Sequence, residues 1–255
     1  MDLHTVIALI LSGAIGVSLG LLGGGGSILA VPVLVYVAGI EAKESVAMSL
    51  AIVGSTSLFG SLLHGRKGKL DLKVAAIFGG AGIIGAYGGA RLTHLVTNST
   101  LLLLFAALML VVAVAMLLRK DRQVASEART NHSNLALTLL VGLGVGVLTG
   151  FLGVGGGFLV VPALVLFAGL PMHLAVGTSL LVIAINSAAG FVGHLGEGQL
   201  HLSLTAAFTV MALAGTFAGE HFARRVPAQH LRRMFAYFVI LVAIFLVAEN
   251  FRALI

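Results

Sequence analysis

Displaced by 130 positions, the chain falls into register with itself. Gly20-Leu21-Leu22-Gly23-Gly24-Gly25-Gly26-Ser27-Ile28-Leu29-Ala30-Val31-Pro32 lands on Gly150-Phe151-Leu152-Gly153-Val154-Gly155-Gly156-Gly157-Phe158-Leu159-Val160-Val161-Pro162. The register then holds without a gap: Gly39 meets Gly169, Ser49-Leu50 meets Ser179-Leu180, Ser57 meets Ser187, His64 meets His194, and Gly85 and Gly89 meet Gly215 and Gly219. Roughly 30 of about 100 aligned pairs are identical, against about 10 expected from so biased a composition. Each copy carries a glycine-rich break inside an apolar stretch. Many secondary transporters build a midplane binding site from such duplicated, broken helices.

Hydrophobic residues make up 59% of the chain and charged residues 9%, and the mean hydropathy is +1.12. A soluble domain carries about 25% charged residues. The apolar runs are long and do not alternate with period two, which predicts an all-α polytopic membrane protein rather than a β-barrel. The lipid bilayer is therefore one expected partner. The net charge of +6 resides in short loops and forms no basic patch interleaved with aromatics, so no nucleic-acid partner is expected. Cysteine is absent, which excludes disulfides and thiolate chemistry. No Lys or Arg precedes the first apolar run, so that run is expected to be a retained span and not a secretory leader.

Five apolar segments can be read in each copy. The first copy, residues 1–118, has Leu3–Leu22, Ser27–Gly39, Ser45–Leu63, Val74–Leu92 and Thr100–Leu118. The polar stretch 119–134 reads as a cytoplasmic linker. The second copy, residues 135–255, has Leu135–Leu152, Phe158–Gly169, Leu174–Val192, Leu202–Phe222 and Met234–Ala248. Most are near the ~20 residues a helix needs to cross hydrocarbon. The second segment of each copy is short, about 12 residues or roughly 18 Å of helix, and contains Pro32 or Pro162. If all five segments cross, the copies are inverted relative to each other. The basic loops 64–73, 119–134 and 221–233 then share one side, as the positive-inside rule prefers. If the short segments are re-entrant, those loops are split and eight spans are left.

Glycine occupies thirty-four positions. Gly16 and Gly20, Gly85 and Gly89, Gly142, Gly146 and Gly150, and Gly215 and Gly219 stand four apart, the spacing that lets membrane helices approach closely. The clusters Gly23, Gly24, Gly25, Gly26, Ser27 and Gly153, Gly155, Gly156, Gly157 differ from these. Consecutive glycines disfavour helix, and bare backbone is tolerated at membrane depth only inside protein or a wet cavity. Each cluster precedes a short helix whose first N–H groups lack acceptors and whose dipole makes that end positive. Two such ends pointing to the midplane would form an anion site without a buried cation. The competing reading is a tight hairpin between packed helices.

The third segments add polar candidates for lining that site: Ser49, Thr56 and Ser57 in the first copy, Thr178, Ser179, Asn186 and Ser187 in the second. They can donate to an oxyanion, or bond their own helix or a neighbour. His64 and His194 end these segments as interfacial residues or as proton carriers. Acidic residues are missing from the middle of the spans, which argues against a cation pump. No HExxH, cysteine nucleophile or intramembrane aspartate pair is present, so an enzyme is not expected. No metal and no cofactor is called for, and the oligomeric state cannot be read.

The two glycine motifs with their prolines, the stretch Ala47-Met48-Ser49-Leu50 and its echo Gly177-Thr178-Ser179-Leu180 resemble the TauE/SafE family of sulfite exporters. The resemblance covers nearly the whole chain, including its duplication. It implies a permease of the cell inner membrane for small sulfur-containing anions, sulfite or sulfonates. A passive anion channel, or a transporter of another small carboxylate-type anion, is the alternative. Val154 stands where the first copy has Gly24, so the two half-sites are chemically unequal.

Overall fold

The computed structural model describes residues 3–22, 25–66, 68–118, 135–153, 156–195, 201–222, 240–241 and 243–248. The described residues are helical, without strands. The first copy contributes α1 (Leu3–Leu22), a short segment containing α2 (Ala30–Pro32), then α3 (Ala42–Gly65), α4 (Leu72–Leu92) and α5 (Asn98–Leu118). The second contributes α6 (Leu135–Leu152), α7 (Gly157–Leu166), α8 (Met172–Gly193) and α9 (Leu202–Phe222). Five helices among the described residues are long and apolar enough to cross a membrane. Ile10, Ile84, Leu140, Val210 and Phe217 are 63–70% exposed, so the outer surface is apolar and suits lipid contact.

Helix limits follow local chemistry. Asp71 caps α4 by accepting from the Val74 N–H at 3.0 Å. Gly39 and Gly169, repeat equivalents, hold φ of 70° and 69°. There the next residue's N–H reaches back to close the helix end, Ile40 to Leu34 O at 3.0 Å and Leu170 to Leu164 O at 3.1 Å. The two short segments differ in form. The second copy's is the ten-residue α7. The first copy's is a 3-10 turn, Gly25–Leu29, one α turn, and a π turn, Val33–Val37, where a single short helix is expected from the sequence.

The two copies are held together by exchanged partners. The fourth helix of each copy packs on the first helix of the other. Gly85 of α4 lies on Leu143 O and Val147 N of α6, while Gly215 of α9 lies on Gly13 O and Val17 N of α1. Gly89 meets Val147 O and Gly219 meets Val17 O. A Cβ at any of these positions would strike backbone, so these glycines serve the close helix approach that their spacing predicts. One substitution in the pattern carries a bond. Gly142 lies on Phe78 O, and its equivalent Ser12 donates to Phe208 O at 2.9 Å.

Contact order gives the helix directions. Along α4 and α6, and along α1 and α9, the partners advance together, so each pair is parallel. Gly60 meets Leu180 while Gly190 meets Leu50, so α3 and α8 are antiparallel. The start of α9 lies beside the start of α3, with His201 4.0 Å from Glu44. The start of α4 lies beside α8, where the Asp71 N–H donates to Thr178 Oγ1 at 2.9 Å. The end of α3 and the start of α4 thus share one end of the bundle with the end of α9.

Substituting leucine at Gly85 or Gly215 is expected to lower the thermal stability of detergent-solubilised protein, because overpacking costs about 1–3 kcal/mol and the clash here is with backbone. Gly88→Leu, at a position with nothing within reach of a Cβ, is expected to leave it unchanged. Fluorescence-detected thermal unfolding of the three variants checks the contrast.

Candidate functional site

The second glycine cluster shapes the start of α7. Gly153 and Gly156 hold φ of 68° and 66°, a conformation that side chains with a Cβ adopt only under strain. Gly156 is the N-cap residue, and its carbonyl accepts from the N–H groups of Leu159 and Val160 at 2.9 and 2.8 Å. This end of α7 is the positive end of the helix dipole. Gly156 is seated against Val145 and Thr149 of α6. In the first copy Gly26 is seated against the equivalent residues Ile15 and Leu19 of α1. Ser27 beside it is fully buried, and Gly25 opens the 3-10 turn. Gly23, Gly24 and Gly155 lie outside the described residues. The two short segments touch, with Leu29 of one in the same apolar clusters as Leu159 of the other.

The glycine loop of one copy is held by the third helix of the other. Gly153 lies against Val46 of α3, and Ser49 donates its hydroxyl to Gly153 O at 2.6 Å. Ser49 therefore joins the copies and its proton is committed. Thr178, expected from sequence among the lining residues, accepts the Asp71 N–H and so fastens the loop before α4 to α8. Ser179 donates to Val176 O of its own helix at 2.7 Å. Thr56 donates to Ile52 O at 2.8 Å and approaches Val53 O at 3.0 Å.

Ser57, Asn186 and Ser187 are different. All three are fully buried. Neither serine hydroxyl, nor either terminal atom of the Asn186 amide, has a hydrogen-bond partner among the described residues. A buried polar group left in that condition costs about 1–3 kcal/mol. They sit where α3 and α8 cross. Contacts of Leu50 with Gly190, Gly54 with Ser187 and Gly60 with Leu180 put the middle of the crossing near residue 55 of α3 against residue 185 of α8, so Ser57 and Ser187 flank it on opposite sides. Gly54 lets the Ser187 Cβ approach, and a Cβ on Gly82 of α4 would overlap the Asn186 amide. The sequence pattern does not single out Gly82; its role depends on helix directions that spacing alone does not give. An apolar groove of about 450 Å³ opens between α3 and α8, and none of the three polar residues lines it.

His64 and His194 end the crossing pair rather than join its centre. Their Nδ1 atoms engage Gly60 O at 3.0 Å and Gly190 O at 2.9 Å, one helical turn back. Each lies seven residues, roughly 10 Å of helix, beyond Ser57 or Ser187. No group of three His, Cys, Asp or Glu side chains able to hold a metal occurs among the described residues.

The family model described as "Sulfite exporter TauE/SafE" matches residues 8–246. A "Probable membrane transporter protein" of Xylella fastidiosa (strain Temecula1) is 34% identical over the full length of both chains. The Bacillus subtilis (strain 168) protein named "Probable membrane transporter protein YdhB" is 29% identical over 84% of this chain and 88% of its own. No solved structure matches. With duplicated helices, an apolar exterior and a polar centre already in place, this match identifies the chain as a member of the TauE/SafE family of membrane transporters.

Proposed function

We propose that this protein is a secondary transporter of a small sulfur-containing anion, sulfite or a sulfonate, across the cell inner membrane. The observation that carries the reading is the set Ser57, Asn186 and Ser187, contributed by both copies and buried near the middle of the α3–α8 crossing without hydrogen-bond partners among the described residues. Sulfite-type anions present three acceptor oxygens, and this group holds the hydroxyl and amide donors to meet them. The positive dipole end of α7, whose N-cap Gly156 makes no side-chain cap bond, adds positive potential without a fixed charge. The family's description as a sulfite exporter supplies the substrate class.

The two copies are taken to be related by a two-fold axis in the membrane plane. The antiparallel crossing of α3 and α8 and the reciprocal packing of α4 on α6 and α9 on α1 support that arrangement. The end bearing Arg66, Lys69 and Lys73 is then cytoplasmic by the positive-inside rule. Alternating access would move one copy against the other around the crossing.

Three outcomes are expected. Purified protein in liposomes moves labelled sulfite or a sulfonate and shows counterflow; flux without counterflow means a channel, and no flux of any sulfur oxyanion removes the substrate assignment. Ser57→Ala combined with Ser187→Ala weakens the apparent affinity about 10-fold or more, since hydrogen bonds to charged groups are worth about 1.5–3 kcal/mol, whereas Ser179→Ala, whose hydroxyl serves its own helix, changes it little. Single cysteines placed at Lys67 and Arg225 both react with an impermeant thiol reagent from the cytoplasmic side; labelling from opposite sides excludes the inverted arrangement.

A further inference from the structure

Asn186 presents a group that the serines around it do not. A hydroxyl can donate or accept, but the amide oxygen only accepts. Asn186 Oδ1 is fully buried, and no described group donates to it. Turning the amide by 180° exchanges oxygen and nitrogen and leaves one unpaired acceptor in either orientation, because neither terminal atom has a partner among the described residues. An anion without hydrogens of its own could satisfy Nδ2, Ser57 and Ser187. It would leave the amide oxygen bare and place negative charge beside it.

The first copy lacks this feature. The equivalent of Asn186 is Thr56, whose hydroxyl is committed to its own helix. The equivalent of Gly82, which makes room for the amide, is Ala212. The amide and its space therefore occur together, in one half of the site.

We propose, on the reading that this crossing is the substrate site, that the transported anion carries an O–H or N–H donor of its own. Asn186 Oδ1 accepts from that donor. The Asn186 amide hydrogens and the Ser57 and Ser187 hydroxyls bind the anion's oxygens. Gly82 sets this selectivity by keeping the amide in place. A site built to pair with a substrate hydroxyl rejects the analogue lacking it more strongly than an apolar pocket rejects an extra group.

The test compares 2-hydroxyethanesulfonate with propane-1-sulfonate, which have the same charge and sulfonate oxygens, a methyl replacing the hydroxyl. Each is used unlabelled to inhibit flux of labelled sulfite through the protein in liposomes. The hydroxylated anion is expected to inhibit at a concentration at least about 10-fold lower. Asn186→Thr, which copies the first half-site, and Gly82→Ala, which leaves Asn186 present but crowds its amide, should each bring the ratio close to one. Equal inhibition of the wild-type protein overturns the inference while sulfite flux stands. So does an unchanged ratio in either variant at normal membrane abundance. Absence of any sulfur-oxyanion flux overturns the transport reading and this inference with it.

Discussion

Helix pairs in lipid gain little from burying apolar side chains, because lipid tails are equally apolar; close contact and interhelical hydrogen bonds have to hold them. Here the contact is glycine against backbone, α4 on α6 and α9 on α1. These two parallel pairs each join one copy to the other. With both in place, α3 and α8 are brought together from opposite copies and cross near their middles. The polar centre exists because of that crossing, and neither copy contains it alone.

Most membrane hydroxyls in this protein look after themselves. Thr149 donates to Val145 O, Thr209 to Thr205 O and Thr216 to Ala212 O, each four residues back in its own helix. Such bonds leave no donor for a ligand. Ser57 has the same option in principle, but the carbonyl four residues before it, Val53 O, already faces Thr56 Oγ1. Crowding of neighbouring hydroxyls on one helix thus produces an unmet donor at the crossing. On α8 the Asn186 amide, lying against Gly82, is likewise without a partner among the described residues.

Much of the architecture was legible because it is periodic. The limits of α1, α6 and α9 follow from the apolar runs, and the four-residue glycine spacing names the close helix contacts. The short segment of the first copy was harder, since nothing local to Gly25–Val37 distinguishes a continuous helix from its mixture of 3-10, α and π turns. The polar candidates were legible as a set but not in their roles. Ser49 and Thr178 differ from Ser57 and Asn186 only in what lies opposite them, and that is decided by residues more than a hundred positions away, Gly153 and Asp71. Gly82 was invisible for the same reason.

The exchange of partners also sets an order of events on the ribosome. Chain growth delivers α1 through α5 before α6 exists, so the glycine face of α4 and the Ser12–Gly16 face of α1 enter the bilayer with no helix to receive them. The first is covered as soon as α6 follows. The second must wait for α9, almost the whole remaining length of the chain. During that interval α1 is tied to its own copy mainly by the short segment packed along it, with a smaller contact to α3, and the second half completes its packing.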